Sequence, residues 1–463
     1  MSQRIVVVGG DAAGMSAAHQ ALRAAKAAGR EVELTVLEAT RHTSYSACGI
    51  PYWIAGEVPS GDDLVARTPE EHRAAGIDLR LGARATALDV DARVVRYDAA
   101  AEDGGSGDVP FDDLVLATGA TAIVPPWART PDGELVDGVH PVKTLDDGAM
   151  WLDLLTRREP GPRRAVVVGG GYIGVEMAEA LLLRGLEVTL VTRSLVMGGL
   201  DADLGERIRA AMVEAGVDVR ERTQVERVET DDRRVVAAHT DAGDRLAADV
   251  VVLAIGVEPA TSLGAAAGLP VGGAGGYLPD PGGRLAPGVW GAGDCCELEH
   301  RMTGRRAVVS LGTHANKLGR IVGDNLLGAD HRFGGPLSTA ITRFAAGGVH
   351  LEISRTGLST AEAQEAGYDV ASLVTEGTTI SGYLPEAEPM ATKVLADRST
   401  RRLLGVQIVG GVGAAKRVDA AAAALWGAMS VDDVAGMDLS YAPPFATTWD
   451  ALQIAARRLA ERI

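Results

Sequence analysis

Apolar residues follow the same order in two segments of the chain. RIVVVGG at residues 4–10 is a short apolar run that ends in a glycine turn, followed by an alanine-rich segment and by EVELTVLEA at 31–39. The same order returns in RRAVVVGGGYIGVEMAEALLLRGLEVTLVTRS at 163–194. A β-rich run, a tight turn and a small-residue helix that leads to a second run are typical of a βαβ unit. The pattern predicts an α/β protein with two Rossmann-like domains.

Other apolar runs extend these units and introduce a third region. Buried strands that end in turns are predicted for DDLVLATGA at 112–120, ADVVVLAIGVEPAT at 248–261 and VWGAGDCCE at 289–297. Residues 79–115 have a β-rich pattern, and a polar insertion at 99–108 (AAAEDGGSGD) predicts a hairpin loop. From about residue 335, alternating strands precede an alanine-rich helix. We expect a discontinuous first domain at 1–115 and 247–330, a second at 116–246 and a C-terminal α+β domain at 331–463.

Composition and charge exclude several classes of protein. The 463 residues allow about three domains. The formal net charge of −17 argues against nucleic acid as a partner, because phosphate binding needs a basic surface. No apolar run reaches the roughly 18 residues of a membrane span, and the opening residues lack the pattern of a signal peptide. Three cysteines, without metal-ligand spacing, predict neither a disulfide scaffold nor a metal site. We therefore expect a cytoplasmic protein.

The two glycine turns are candidate nucleotide sites. Glycine lets the backbone approach a pyrophosphate, which lies at the helix N-terminus. In the first turn, Gly9 and Gly14 remain but Asp11 holds the middle glycine position, so the turn is also compatible with any tight strand–helix connection. Glu38, at the end of the following strand, is where a carboxylate binds a ribose hydroxyl. The second turn, with Gly169, Gly171 and Gly174, matches the dinucleotide fingerprint in full.

The residues that follow the second βαβ unit indicate which coenzyme, NADH or NADPH, is bound. Thr192 and Arg193 stand where an acidic residue favours NAD. A hydroxyl and a guanidinium suit the 2′-phosphate of NADP better, which predicts NADPH. The alternative is that Arg193 is a solvated surface charge and that the enzyme takes NADH as well.

Cys48, in SYSACGIPY, is the candidate redox residue. It follows a polar turn and can open a helix, whose N-terminus lowers the pKa of a thiol. The alternative is a buried, inert cysteine. Trp53 stands where a dithiol enzyme would carry the partner cysteine, so Cys48 would act alone through a mixed disulfide, a persulfide or a sulfenic acid. Cys295 and Cys296 form a vicinal pair that we interpret as small buried side chains.

Together these segments resemble the single-cysteine branch of the pyridine nucleotide-disulfide oxidoreductases, which includes coenzyme A disulfide and persulfide reductases and NADH oxidases and peroxidases. The similarity covers nearly the whole chain. It comprises the first turn and the motifs SYSACGIPY, LATGA, GGGYIGVEMAE, AIGVEP, GAGD, THANKLGR, GYLPEAEPM and YAPPF. The resemblance implies that the first domain binds FAD, that the second binds NAD(P)H and that the C-terminal domain forms a homodimer.

The resemblance also implies roles for individual residues. FAD would be bound by Gly9, Ala12, Gly14, Glu38, Thr118, Gly119, Asp294 and Thr313. NAD(P)H would be bound by Gly169, Gly171, Gly174, Glu176, Thr192, Arg193 and Gly256. The substrate would be lined by Ser16, Gln20, Arg23, Ser44 and His314, although His314 is equally compatible with simple packing. The catalytic set would be Cys48, Tyr383 and Tyr441, with both tyrosines supplied across the dimer.

Departures from the family pattern favour some of its activities over others. Ala12 replaces a histidine of the peroxidases, which disfavours peroxide chemistry. Ala47 and Trp449 replace an asparagine and a lysine of coenzyme A disulfide reductases, which weakens the case for coenzyme A itself. We expect hydride equivalents to pass through FAD to Cys48 and on to a small-molecule disulfide or persulfide. The alternatives are an NAD(P)H oxidase that reduces O₂ through a Cys48 sulfenate, and an electron-transfer reductase or redox sensor that serves a protein partner.

Overall fold

A computed structural model describes residues 2–99, 105–156 and 161–463. Two compact units account for the contacts within the chain. The first comprises Met1–Ile50, Pro59–Thr121 and Val257–Pro336, and the second comprises Pro51–Val58, Ala122–Gly256 and Leu337–Ile463. The proposed division into three domains, with its boundaries, stays a prediction.

Helices and strands are distributed over the whole described chain. Up to residue 156 they are β1 (Gln3–Val8), α1 (Ala12–Ala27), β2 (Val32–Leu37), α2 (Ile50–Ala55), α3 (Pro69–Ala74), β3 (Asp78–Arg80), β4 (Arg84–Asp89), β5 (Val94–Asp98), β6 (Gly107–Pro110), β7 (Asp113–Leu116), β8 (Ala120–Ala122), β9 (Val139–Pro141) and α4 (Leu145–Thr156). Up to residue 266 they are β10 (Arg164–Val168), α5 (Tyr172–Leu183), β11 (Glu187–Thr192), α6 (Ala202–Glu214), β12 (Asp218–Glu221), β13 (Val225–Asp231), β14 (Arg234–Thr240), β15 (Arg245–Ala247), β16 (Val250–Leu253), β17 (Val257–Pro259) and α7 (Ser262–Ala266). The remainder are β18 (Arg284–Ala286), β19 (Val289–Gly291), β20 (Glu297–Glu299), β21 (Arg306–Val308), α8 (Gly312–Asn325), β22 (Ala340–Ala346), β23 (Val349–Gly357), α9 (Thr360–Glu365), β24 (Val370–Thr378), β25 (Pro389–Asp397), β26 (Leu403–Gly410), α10 (Val418–Trp426), α11 (Val431–Ala435) and α12 (Ala451–Ala460).

The first unit is built on a six-stranded sheet with the order β18-β19-β7-β1-β2-β3. The central strand β1 runs parallel to both β2 and β7. Its residues Ile5, Val6 and Val7 are buried because both faces of the sheet are covered, which is typical of parallel sheets. The βαβ unit predicted for residues 4–39 is therefore present. Strands β5 and β6 pair antiparallel across the predicted hairpin loop, but residues 100–104 of that loop lie outside the described residues.

The second unit contains a five-stranded parallel sheet with the order β12-β11-β10-β16-β9. It repeats the arrangement of the first unit, since a glycine turn joins β10 to α5. The unit also contains an antiparallel sheet with the order β22-β23-β26-β25-β24. Every residue of β26 is buried, and α10 and α12 pack against this sheet. The predicted fold class, with two Rossmann-like sheets and a C-terminal α+β region, is confirmed.

No helix in the described part of the chain combines the length and the apolar character that crossing a bilayer requires.

Candidate functional site

The first glycine turn joins the end of β1 to the start of α1 and lies against the residue that follows β7. Gly9 has φ +106°, and a Cβ atom there would lie 2.1 Å from the carbonyl oxygen of Ala117. A Cβ at Gly14 would lie 1.8 Å from the carbonyl oxygen of Gly9. Only glycine fits these positions. Asp11 precedes α1 without capping it through its side chain, so the first N–H groups of the helix can receive an anion.

Glu38 is held beside this turn at the end of β2. Its Oε2 accepts a hydrogen bond from the backbone N of Gly10 at 2.7 Å. Its Oε1 accepts from the backbone N and the hydroxyl of Thr40 at 2.7 and 2.8 Å. The carboxylate is therefore fixed next to the glycine turn, as binding of a ribose hydroxyl would require.

The remaining residues predicted for FAD lie on neighbouring turns of the same unit. Thr118 Oγ1 donates to the carbonyl oxygen of Ala260 at 2.6 Å, and Gly119 adopts φ +68° with open space where a Cβ would be. Asp294 follows Gly293, at which a Cβ would lie 2.9 Å from the Cβ of Ala13 in α1. The turn that carries Asp294 therefore approaches the start of α1. Thr313 lies in the first turn of α8.

Cys295 and Cys296 are buried behind these turns. Neither side chain is more than 1% exposed. Their sulfur atoms are 3.9 Å apart, and the Cys295 thiol donates to the carbonyl oxygens of Leu116 and Ala292 at 3.5 and 3.4 Å. Both side chains belong to the apolar core of the first unit. The geometry supports our interpretation of the pair as small buried side chains.

Three residues predicted to line the substrate, Ser16, Gln20 and Arg23, lie on α1, which packs against α8. A Cβ at Gly319 would lie 2.3 Å from the carbonyl oxygen of Ala13, so the two helices pack closely because α8 has glycine there. The contacts on this face join side chains of α1 to α8 or to each other. They are Ser16 Oγ to Asn316 Oδ1 at 2.7 Å, Gln20 Nε2 to Asp324 Oδ1 at 2.6 Å and Arg23 Nε to Gln20 Oε1 at 3.0 Å.

His314 is buried rather than presented at the surface. Its ring packs edge-on against Phe333, with the ring centroids 6.1 Å apart. Burial lowers the pKa of His314 to about 4, so the ring is neutral at physiological pH. Nδ1 has no hydrogen-bond partner among the described residues. A packed ring with an unsatisfied nitrogen is compatible with either role that the sequence left open.

Cys48 lies in a 3-10 turn, Ala47–Gly49, that leads directly into α2. Its thiol is exposed and in no disulfide. The preceding residues are fixed to a second segment, because the backbone N of Ser46 donates to Leu64 O and the backbone N of Ala66 donates to Ser44 O, each at 2.8 Å. The inert-cysteine alternative is disfavoured by this exposure, since an accessible thiol at the start of a helix can react as a thiolate.

Two histidines that carry no sequence signal lie beside residues 44–49, the Cys48 loop: His72 contacts the loop and His19 contacts His72. His72 Nε2 lies 3.0 Å from the hydroxyl of Ser44, and His72 Nδ1 lies 2.8 Å from Nε2 of His19. The three residues belong to α1, the Cys48 loop and α3. Their separation in sequence left no local pattern by which they could have been found.

The second glycine turn repeats the construction of the first. Gly169 has φ +116°, and a Cβ there would lie 2.2 Å from Ala254 O. A Cβ at Gly174 would lie 1.9 Å from Gly169 O, while Gly171 and its surroundings leave open space. Gly256 also adopts a positive φ, +106°. The turn has the close backbone approach that a pyrophosphate site needs.

The residues predicted to select the coenzyme follow β11. Thr192 is buried against Gly170, where a Cβ would lie 3.0 Å from the Thr192 Cβ. Arg193 and Ser194 are exposed. The guanidinium and the Ser194 hydroxyl are therefore accessible at the end of the strand.

Glu176 is a half-buried carboxyl on α5. Its Oε1 accepts from the hydroxyl of Thr342 at 2.7 Å. Burial, and then the nearby Glu179, raises the pKa of Glu176 to about 7, although the Thr342 hydrogen bond lowers it. Carboxyls whose pKa is strongly raised by their surroundings are concentrated at functional sites.

Tyr383 and Tyr441 belong to the second unit, whereas Cys48 belongs to the first. Both tyrosines are exposed, Tyr383 to 74%. The two loops that carry them meet, because the backbone N of Ser381 donates to the carbonyl oxygen of Pro443 at 3.0 Å.

The described residues contain no group of three or more His, Cys, Asp or Glu side chains that could hold a metal ion.

Known proteins share the sequence motifs and the fold of this chain. A family model described as pyridine nucleotide-disulphide oxidoreductase matches residues 3–316, and the dimerisation-domain model of that family matches residues 347–452. An NAD(P)H coenzyme A polysulfide/persulfide reductase of Pyrococcus horikoshii is 35% identical over 99% of each chain. An NAD-dependent persulfide reductase from A. fulgidus has a TM-score of 0.92 at 30% identity, over 99% of this chain and 83% of its own. An engineered water-forming NADPH oxidase bound to NADPH has a TM-score of 0.91 at 25% identity, over 99% of each chain.

Proposed function

Because the chain belongs to the pyridine nucleotide-disulphide oxidoreductase family, we propose that it is an FAD-dependent NAD(P)H oxidoreductase that reduces a small-molecule disulfide or persulfide through Cys48. The observation that carries the proposal is the exposed Cys48 thiol at the start of α2, in a chain whose other two cysteines are buried. The named reductases of Pyrococcus horikoshii and A. fulgidus act on sulfur compounds, which supports the same chemistry here.

The residues present fit the two cofactors of the family. The glycines at positions 9 and 14 and the fixed Glu38 carboxylate suit the adenosine half of FAD, and the turns of Thr118 and Asp294 suit the rest of the molecule. When bound, FAD would accept hydride from NAD(P)H and supply electrons to a sulfur atom. The chain itself contributes Gly169 and Gly174 for the coenzyme pyrophosphate and a half-buried carboxyl, Glu176, beside them on α5.

Cys48 forms and breaks the sulfur bonds. Its thiolate attacks one sulfur of the substrate, a bond between Cys48 Sγ and that sulfur forms, and the other sulfur departs with the electron pair of the broken bond. Two electrons, which bound FAD would supply, then break the bond between Cys48 Sγ and the retained sulfur, and that half of the substrate leaves as a thiolate while the Cys48 thiolate is restored. The exposed position of Cys48 leaves its sulfur accessible for this attack.

NADPH is the preferred coenzyme in this proposal, with NADH as the weaker one. The exposed pair Arg193–Ser194 can bind the 2′-phosphate through a guanidinium and a hydroxyl. The engineered NADPH oxidase carries, among its substitutions, an aspartate, an alanine and a methionine changed at consecutive positions to alanine, arginine and serine. Thr192-Arg193-Ser194 presents the same arginine–serine pair.

We place the active enzyme as a cytosolic homodimer. The match of residues 347–452 to a dimerisation domain supports a second copy as partner, and the exposed Tyr383 and Tyr441 are candidates to complete the active site of that copy. Their phenols can hydrogen-bond a sulfur atom of the substrate or a sulfur oxyacid of Cys48.

An anaerobic titration tests this function. The flavoprotein is reduced with NADPH and then mixed with coenzyme A disulfide, cystine or air, while flavin absorbance is followed. Rapid reoxidation by a disulfide, which Cys48→Ser abolishes and Cys295→Ala leaves intact, is the expected result. Cys48→Ser should still accept hydride from NADPH, since that step does not use the thiol.

NAD(P)H oxidase activity is the second candidate, favoured by the similarity to the engineered NADPH oxidase. In that case bound FAD would supply electrons to O₂. Cys48 would be oxidised to a sulfenate by the resulting peroxide and then reduced again with electrons from NAD(P)H. If only air reoxidises the enzyme rapidly, the oxidase is correct and the reductase is wrong. Reoxidation by a protein partner at equal rates in wild type and Cys48→Ser would instead favour the electron-transfer alternative.

A further inference from the structure

A chain of hydrogen-bonding side chains leads from the Cys48 loop to the protein surface. The Ser44 hydroxyl lies 3.0 Å from Nε2 of His72, and His72 Nδ1 lies 2.8 Å from Nε2 of His19. Nη1 of the exposed Arg67 lies 2.9 Å from the same His19 nitrogen. His72 is 1% exposed, and its two ring nitrogens have Ser44 and His19 as their hydrogen-bond partners.

Ser44 has an unusual backbone for its residue type. It adopts φ +49°, the left-handed region that favours glycine. Such strain persists only where the surroundings hold it in place, and it is concentrated at functional positions. Here the Ala66 N–H donates to the Ser44 carbonyl oxygen at 2.8 Å and fixes the backbone. The buried His72 then fixes the hydroxyl, four residues before the redox cysteine.

The direction of each hydrogen bond follows from Arg67. A guanidinium can only donate, so Nε2 of His19 must accept. His72 therefore donates from Nδ1 to His19, and His72 Nε2 accepts the proton of the Ser44 hydroxyl. In this neutral arrangement the hydroxyl offers only lone pairs to its other neighbours.

Addition of one proton reverses the donor and the acceptor in the hydrogen bonds that join His19, His72 and Ser44. A second proton on His19 makes its Nε2 a donor to His72 Nδ1, with the exposed Arg67 displaced. His72 Nε2 then donates to Ser44 Oγ, and the Ser44 proton is directed outwards. The two arrangements differ by one proton, and the bonds between them need no movement of the buried ring.

We propose that Ser44, His72 and His19 form a proton relay that protonates the thiolate departing from the substrate when Cys48 attacks. The proposal rests on the disulfide or persulfide reductase function. The Cys48 Sγ–S bond forms, the substrate S–S bond breaks and the departing sulfur takes its electron pair. One proton moves from Ser44 Oγ to that sulfur, one from His72 Nε2 to Ser44 and one from His19 Nε2 to His72 Nδ1. Solvent restores the proton of the half-buried His19.

The charges around the relay make its protonated form give up a proton easily. Burial lowers the pKa of His19, and the positive charges of Arg67 and Arg23 lower it further. Burial, His19 and Arg67 lower the pKa of His72 to about 4, against a small opposing effect of Glu71. A proton that reaches His19 is therefore passed on readily to a basic aliphatic thiolate.

The test separates leaving groups that need a proton from one that does not. Flavin-loaded enzyme is reduced with NADPH in the absence of oxygen and mixed with coenzyme A disulfide, with cystine or with the aromatic disulfide dithiobis(nitrobenzoate). The aromatic thiolate is stable unprotonated and leaves readily. Variants His72→Gln and His19→Gln keep hydrogen-bonding groups but cannot relay a proton. His300→Gln, at another buried histidine of the first unit, is the matched control.

The expected result is a loss specific to aliphatic disulfides. Reoxidation of both relay variants by coenzyme A disulfide and cystine should slow by roughly 10–100-fold. Reoxidation by dithiobis(nitrobenzoate), flavin reduction by NADPH and all rates of His300→Gln should stay within twofold of wild type. Equal losses with all three disulfides, or none with any, would show that the histidines do not relay protons. If only air reoxidises wild type rapidly, the reductase function itself is wrong and the relay falls with it.

Discussion

Arg343 lies 3.3 Å from Oε1 of the buried carboxylate of Glu179. The same guanidinium donates to Glu57 Oε1 at 2.6 Å and lies over the ring of Tyr52, 5.1 Å from its centroid. The backbone N of Ala345 donates to the other Glu179 oxygen at 2.7 Å. Strand β22 therefore joins α5 to the segment that follows Cys48 within the second unit.

Arg343→Met should lower the free energy of unfolding by about 2–3 kcal/mol, because it leaves the 3%-exposed Glu179 without its cation. Arg343→Lys should recover part of the loss. Urea unfolding of the holoenzyme measures both. Arg207→Met is the control, since its partner Glu376 is 61% exposed, and its effect should stay within about 0.5 kcal/mol. An equal loss in the two methionine variants would show that burial of Glu179 is not the cause.

Glu176 should make stability fall as pH rises. Its pKa is raised from 4.5 to about 7 in the folded protein, chiefly by burial. Between those values the folded state holds a proton that the unfolded state has lost, so the contribution of this group is present below pH 4.5 and is lost as pH rises through about 7. A shift of this size corresponds to roughly 3 kcal/mol.

Glu176→Gln removes the titrating group and should flatten this dependence. Unfolding free energies of the two proteins, measured from about pH 5 to 8, should converge at the acidic end, and the variant should be the more stable at the basic end. Glu214→Gln, at an exposed position of α6, should follow wild type throughout. Parallel curves for wild type and Glu176→Gln would contradict the raised pKa.

Substitutions in the two glycine turns should affect FAD binding and NADPH binding separately. Gly14→Ala places a Cβ 1.8 Å from Gly9 O, and Gly174→Ala places one 1.9 Å from Gly169 O. Because the first turn is assigned to FAD, Gly14→Ala should purify with little flavin. Gly174→Ala should retain flavin but bind NADPH weakly, as measured by flavin absorbance and by the NADPH dependence of flavin reduction.

Gly273→Ala is the control for this pair, because its Cβ meets nothing within 4 Å and its φ is not in the left-handed region. It should keep both flavin and NADPH binding. Normal flavin content in Gly14→Ala would mean that the first turn does not hold the flavin nucleotide.

The turns and sheets were predictable because their signals are local. Glycines such as Gly9 and Gly174 lie between an apolar run and a helix, and the steric requirement for glycine falls on the same few residues that form the motif. The resemblance extended this to the family, which the comparisons confirm, whereas the role of Cys48 stays a prediction. The contacts of His72 with Ser44 and His19, and of Arg343 with Glu179, join residues far apart in sequence. Only tertiary packing brings them together, and neither a period nor a motif marks them.

Arg193 should determine the preference for NADPH. Charge-assisted hydrogen bonds to a phosphate contribute about 1.5–3 kcal/mol, so Arg193→Ala should raise the KM for NADPH by roughly 10–100-fold while the KM for NADH changes little. Steady-state reduction of cystine or of O₂, whichever the enzyme supports, measures both constants. Arg220→Ala removes another exposed arginine of the second unit, one that pairs with Asp218 at 2.9 Å, and should alter neither constant. A proportional loss with both coenzymes in Arg193→Ala would place the guanidinium on a part that they share, because only NADPH carries the 2′-phosphate.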